Sequence, residues 1–151
     1  TLILSTTNGT RALKAFATAA SVRTAALVNR AAIADALARD VGDIVIACAG
    51  EANGFALEDA IGAGALVDAL LASIGDVELG DGARAAALLY RSVADRLADA
   101  VASSDHAQSL AQKGYGRDIT RCAALDMLDV VPTLRDGVLV AAPSPVASAH
   151  G

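Results

Sequence analysis

Short apolar runs alternate with stretches in which apolar residues recur every three or four positions, and this alternation organises most of the chain. Leu2-Ile3-Leu4 is short and ends in a polar turn, which predicts a buried strand. Behind the Asn8-Gly9 turn, Leu13, Phe16, Ala17 and Ala20 fall at helical spacing and predict a helix over 10–20. The unit then repeats. Ala25-Ala26-Leu27-Val28 predicts a second strand, and Ile33, Ala34 and Leu37 predict a helix over 31–39. Ile44-Val45-Ile46-Ala47-Cys48-Ala49 carries no polar alternation and predicts a central strand buried on both faces.

Further along, Leu57, Ile61, Ala65, Leu66, Ala69 and Leu70 predict a helix over 56–71 despite Gly62 and Gly64, which mark either a close backbone approach or a break. Leu88, Leu89, Val93, Leu97 and Val101 predict one amphipathic helix over 83–102. Ser103-Ser104-Asp105 offers an N-cap to a short helix over 106–113, and another is expected over 118–127. Val130-Val131-Pro132 and Gly137-Val138-Leu139-Val140 read as strands around an Arg135-Asp136-Gly137 turn. Three strand-then-helix units predict an α/β fold, a mainly parallel sheet with helices on both faces, over residues 1–142, with 143–151 a loose tail. In such sheets ligands sit at the carboxyl ends of the strands, here the loops 5–9, 29–30 and 48–54.

With 151 residues and 54% hydrophobic content, the chain holds one core, built from Ala, Val, Leu and Ile because aromatics make up only 3%. The net charge of −5 argues against a nucleic-acid partner, which requires clustered Lys and Arg. Charged residues interrupt each apolar run before the roughly 18 residues a membrane span needs, so no membrane partner is expected. Cys48 and Cys122 lack metal-ligand spacing, and the first residues lack a basic leader, so the expected setting is cytoplasmic with both thiols reduced. Thr1-Leu2-Ile3-Leu4 reads as a strand already under way, the expectation being that the chain is the later part of a longer protein.

Ser5-Thr6-Thr7-Asn8-Gly9-Thr10-Arg11 places hydroxyls, an amide, a glycine and a guanidinium between a strand and a helix. Two readings stand equal: a cradle for an anion, with Arg11 donating to phosphate or sulfonate, or a helix start whose polar residues cap its own N–H groups. Glu58 and Asp59 stand together in the first turn of a helix, where they can hold a hard divalent cation or merely complement the helix terminus, the commoner case. Cys48 has apolar neighbours and no His close in sequence, which points to a buried structural thiol rather than a nucleophile. His106 and His150 are not spaced as a ligand pair, and neither is assigned a role. Asp118 and Asp126 are expected to pair with Arg117 or Arg121 on solvated helix faces.

Taken together, Thr6-Thr7-Asn8-Gly9-Thr10-Arg11-Ala12-Leu13, Leu27-Val28-Asn29-Arg30, Ala49-Gly50 with Phe55-Ala56-Leu57-Glu58-Asp59, and Ala63-Gly64-Ala65 resemble successive signature blocks of the 2-phosphosulfolactate phosphatase (ComB-like) family. A weaker resemblance continues through Gly114, Asp118-Ile119, Cys122, Asp126 and Val131-Pro132. It implies a ComB-like three-layer α/β/α fold and Mg2+-dependent hydrolysis of a small anionic phosphate ester. The family reaction yields sulfolactate and phosphate, a step of coenzyme M biosynthesis. On matched positions it implies substrate contacts from Thr7, Asn8, Gly9, Thr10, Arg11 and Asn29, and metal or acid–base roles for Glu58 and Asp59. Gly62 stands where relatives often carry Cys, and the family's N-terminal portion would precede Thr1, so that segment, or a second copy, is an expected partner. The alternative is a non-catalytic α/β domain that binds a small anion or nucleotide; the absence of GxGxxG and GxxxxGK[ST] patterns counts against the nucleotide.

Overall fold

The computed structural model describes residues 8–51, 54–75 and 77–143. The expected strand Leu2-Ile3-Leu4, the polar residues up to Thr7 and all of the tail beyond Pro143 lie outside the described residues. What is described is helix-rich: α1 (Gly9–Ala15), α2 (Arg30–Leu37), α3 (Leu57–Ile74), α4 (Asp81–Val93), α5 (Leu97–Ala102), α6 (Asp105–Gln112) and α7 (Gly116–Cys122) precede an antiparallel pair, β1 (Val130–Arg135) and β2 (Val138–Pro143).

The central element is α3. It buries Ala60, Ile61, Gly64, Ala65, Leu66, Val67 and Leu70, which occupy more of its circumference than the single stripe of a surface helix. Two clusters share it. Ile61 and Ala65 pack with Leu27, Tyr90, Leu97, Val101, Ala107, Ile119 and Ala123, whereas Leu66 and Leu70 pack with Ala32, Ile33, Ala34 and Val131. The helix is therefore held between α4 on one side and α2 on the other.

Gly64 explains how α3 and α4 come so close. A Cβ added there would lie 2.0 Å from the Ala86 carbonyl oxygen and 2.9 Å from Tyr90 Cβ, so only a hydrogen fits. Gly62, one of the same sequence pair, faces open space. Both residues lie inside one unbroken helix, and the break considered for this stretch does not occur.

Where the helix over 83–102 was expected, the chain runs as α4, a 3-10 turn at Ala94–Arg96, and α5. Leu89, Val93, Leu97 and Val101 recur every four residues, and on a straight helix that stripe drifts by about 40° per step. The turn re-aims the chain so that Leu97 and Val101 enter the same cluster as Ala107 and Ile119. Ser104 begins α6 as expected, its buried hydroxyl accepting the Ala107 N–H at 3.2 Å.

The strand expected at Ala25-Ala26-Leu27-Val28 is instead a 3-10 turn, Leu27–Asn29. Asn29 Oδ1 accepts the Ala26 N–H at 2.8 Å, and this local bond competes with a ladder. The run 44–49 forms no regular ladder among the described residues, and Val45 is 74% exposed. An apolar run favours burial, but a strand also needs a neighbouring backbone to pair with. The hairpin is as expected: Arg135 pairs with Val138 around Asp136 and Gly137, whose φ values of 50° and 77° give the twist that suits a two-residue connection. A third segment flanks β1, since the Thr24 N–H donates to the Pro132 carbonyl at 3.0 Å and the Leu134 N–H to the Val22 carbonyl at 2.9 Å. The described sheet is thus small and antiparallel; of the runs expected to form a parallel layer, 25–28 and 44–49 make no ladder of that kind among the described residues and 2–4 lies outside them.

Asp126, expected to pair on its own helix face, reaches across the molecule. At φ 55° it stands in the loop after α7, accepting the Ala31 N–H at 2.7 Å and Arg30 Nη2 at 2.6 Å, while Arg30 Nη1 donates to Tyr90 Oη at 3.1 Å. No side chain at Asn29 caps α2, so Asp126 supplies that acceptor from a distant segment. Burial acts to raise the Asp126 carboxyl, but the Arg30 hydrogen bond, the Ala31 amide and the Arg30 charge outweigh it and hold the group below the ordinary carboxylate range.

Two predictions follow from this packing. Gly64→Ala should cost about 2 kcal/mol or more in urea unfolding, whereas Gly62→Ala should be neutral or stabilise by about 0.5–1 kcal/mol; equal effects would contradict the close approach. Because the folded Asp126 is depressed, its contribution is present above the unfolded value of about 3.9 and is lost as pH falls through the folded value. Asp126→Asn should therefore destabilise at neutral pH by about 1–2 kcal/mol, with the deficit shrinking in denaturation curves taken below roughly pH 4.

Candidate functional site

The turn before α1 and the start of α3, far apart in sequence, are joined through one loop. Asn8 does not cap α1 with its side chain; its Nδ2 instead donates to the Gly50 carbonyl at 2.9 Å. On the other side of the same residue, the Gly50 N–H donates to Asp59 Oδ2 at 2.8 Å. Asn8, Gly50 and Asp59 thus form a continuous hydrogen-bonded chain across three segments.

Gly50 is required by this geometry. Its φ is 73°, and a Cβ there would lie 2.5 Å from the Gly54 carbonyl oxygen. The Glu51 and Gly54 backbones close the loop by reciprocal hydrogen bonds of 3.3 and 2.7 Å.

Beside this chain lies an open cleft of about 390 Å³ lined by Asn8, Arg11, Ala12, Ala15, Phe16 and residues 47–49. Arg11 and Asn8 provide its polar groups and the first turns of α1 form one wall. Cys48 is exposed here rather than buried as expected; local desolvation first, and then the Asp59 charge, push its thiol pKa up. That keeps it protonated and makes it a poor nucleophile.

The adjacent carboxylates at the start of α3 part company. Asp59 turns to Gly50, whereas Glu58 lies with Glu51 and His106, one ligand atom of each falling within 4.8 Å of the other two. His106 Nδ1 stands 2.7 Å from Glu51 Oε2. Sequence spacing hides this cluster, because its members come from a loop, the first turn of α3 and the first turn of α6. The one available signal was the Ser103-Ser104-Asp105 cap, which places His106 at a helix start without showing what that start faces.

Of the other expected contacts, Gly9 and Thr10 open α1 beside Asn8 and Arg11, and Thr7 lies outside the described residues. Asn29 is 4% exposed, and its amide is committed to the backbone: Oδ1 to the Ala26 N–H, Nδ2 to the Val130 carbonyl at 3.0 Å and the Thr24 carbonyl at 3.4 Å. These bonds hold the start of α2 against β1.

A family model described as 2-phosphosulpholactate phosphatase matches residues 1–137. Proteins named "Probable 2-phosphosulfolactate phosphatase" are similar to this chain over most of its length. The one from Caldanaerobacter subterraneus subsp. tengcongensis is 37% identical over 139 residues, covering 92% of this chain and 57% of its own length. Those of Symbiobacterium thermophilum and Carboxydothermus hydrogenoformans are 37% and 39% identical, over 60% and 58% of their own lengths. The chain therefore spans less than two thirds of the length of these relatives.

If Asp59 orders the Gly50 loop, Asp59→Ala should raise amide hydrogen exchange around residues 49–51 by about tenfold or more, because the Gly50 N–H loses its acceptor, while Asp59→Asn, which keeps an oxygen, stays close to wild type. Unchanged protection in Asp59→Ala would remove that role.

Proposed function

Since the chain belongs to the 2-phosphosulpholactate phosphatase family, we propose that it forms the carboxylate-bearing part of a divalent-cation-dependent phosphate monoester hydrolase acting on a small anionic ester such as 2-phosphosulfolactate. The observation that supports this reading is the hydrogen-bonded path from Asn8, which lines the cleft with Arg11, through Gly50 to Asp59 in the first turn of α3.

In this reading an anionic group of the substrate enters the cleft, where Arg11 and the Asn8-Gly9-Thr10 turn neutralise and orient it. Water attacks phosphorus, the ester P–O bond breaks, and the proton lost by water is accepted at a carboxylate of Glu58 or Asp59 while the departing alkoxide takes a proton from solvent. Because Asp59 Oδ2 holds the Gly50 amide, its part is also to fix the loop beside the reacting group. Glu58 is the residue that would hold the cation, which the family resemblance implies to be Mg2+; such an ion would supply positive charge to offset the negative charge developing on the phosphoryl group. The carboxylate chemistry of the site fits such an ion.

The three-layer α/β/α architecture with a parallel sheet belongs to the same proposal. Exposed apolar residues support it: Val45 in the run 44–49, and Val138 and Leu139 on the hairpin, are surfaces that further chain of the same protein, or a second copy, would cover. No helix among the described residues is long and apolar enough to cross a membrane, and a net charge of −5 suits a protein with no nucleic-acid partner.

Phosphate release from 2-phosphosulfolactate and phospholactate tests the reading, measured with Mg2+ and with EDTA on the 151-residue chain and on the polypeptide at its relatives' full length. Metal-dependent release is expected, and Arg11→Ala should lower kcat/KM by about 100-fold. Ligand binding without turnover in either polypeptide would favour the non-catalytic anion-binding alternative.

A further inference from the structure

Three side chains from separate elements converge at one place. Glu51 follows the Gly50 turn, Glu58 stands in the first turn of α3, and His106 in the first turn of α6. Each offers a ligand atom within 4.8 Å of the other two, and His106 Nδ1 approaches Glu51 Oε2 to 2.7 Å. Such spacing lets a single ion with bonds of roughly 2.0–2.3 Å touch all three after small side-chain adjustments.

The three are also fixed independently of one another. Ser104, 2% exposed, caps α6 and sets the direction of its first turn. Glu51 is held by the backbone bonds between it and Gly54, and Glu58 stands on α3, the most enclosed helix of the described fold. Two carboxylates this close repel, and the side chain of His106, 42% exposed, is the ring that the structure sets against Glu51. A divalent cation between the three would offset that repulsion.

We propose that Glu51, Glu58 and His106 form a three-ligand site for a first-row transition divalent cation, held in preference to Mg2+. The selectivity lies in the imidazole. Mg2+ binds through oxygen and retains most of its waters, so a nitrogen donor adds little to its affinity. Mn2+ and its heavier neighbours gain from nitrogen, increasingly along the series. Two carboxylates and one imidazole would leave further coordination positions of such an ion for water or substrate oxygen. The site rests on the phosphate-ester reading above for its purpose: Mg2+, the ion that the family resemblance implies, would use the same carboxylates with lower affinity, and occupancy is measurable without substrate.

The test is Mn2+ titration of the intact chain, followed by electron paramagnetic resonance, with Mg2+ as competitor and no phosphate ester present. One Mn2+ per chain is expected, with an affinity about tenfold or more above that for Mg2+, and electron spin echo modulation should show a nitrogen coupled to the metal. His106→Gln should abolish the nitrogen signal and weaken Mn2+ binding about tenfold or more while changing Mg2+ affinity little. Glu51→Gln and Glu58→Gln should weaken both ions, and Asp95→Asn, away from the cluster, neither. Circular dichroism and melting of each variant separate lost ligation from lost folding, and His106→Asn provides a second reading of the same position. Equal affinities for the two ions, or unchanged Mn2+ binding and nitrogen coupling in folded His106→Gln, would overturn the site. Mn2+ binding as described but no phosphate release would overturn the phosphatase reading and leave the metal site standing.

Discussion

The approach of α3 to α4 at Gly64 is the constraint on which the described fold depends. A hydrogen in place of a methyl group lets the backbone of Ala86 and the Cβ of Tyr90 sit against α3, and that contact fixes the helix between its two apolar clusters. A helix enclosed this way has little freedom to rotate or slide in a close-packed interior. Its first turn, which carries Glu58 and Asp59, is consequently presented at a fixed place and angle.

From that fixed turn the site is assembled by short-range polar contacts. Asp59 accepts the Gly50 N–H, Asn8 Nδ2 donates to the Gly50 carbonyl, and a left-handed conformation open to glycine lets one residue serve both. Glu58, about 100° further back around the helix, faces a different neighbour and meets Glu51 and His106. Two adjacent carboxylates thereby acquire separate tasks, one holding a loop and the other joining a set of metal-type donors. The same division applies to the amides: Asn8 bridges two parts of the site, whereas Asn29 is enclosed and ties α2 to β1.

A second long-range contact, Arg30 with Asp126 and Tyr90, holds α2, the loop after α7 and α4 together. Here too a charged residue supplies what local sequence lacks, since the N–H of Ala31 finds its acceptor almost a hundred residues along the chain. The fold is thus stitched by a few polar residues that cross between segments, with small apolar side chains filling the space between them.

Periodicity and turn chemistry determined the helices over most of the chain, the cap at Ser104 and the hairpin around Asp136 and Gly137, because those are set by a residue and its immediate neighbours. Motif order likewise marked the Asn8 turn and the Glu58 and Asp59 pair as places to look, and identified the family. Only the tertiary structure decided which glycine of the 62 and 64 pair is a contact, why the helix after Asp81 bends, and that Ala25-Ala26-Leu27-Val28 yields to a bond from Asn29. It alone joined Asn8 to Asp59 through Gly50 and brought His106 to Glu51 and Glu58. The physical reason is the same in each case: a sequence records what a residue prefers locally, whereas which distant backbone or side chain answers that preference is set by the packing of the helices between them.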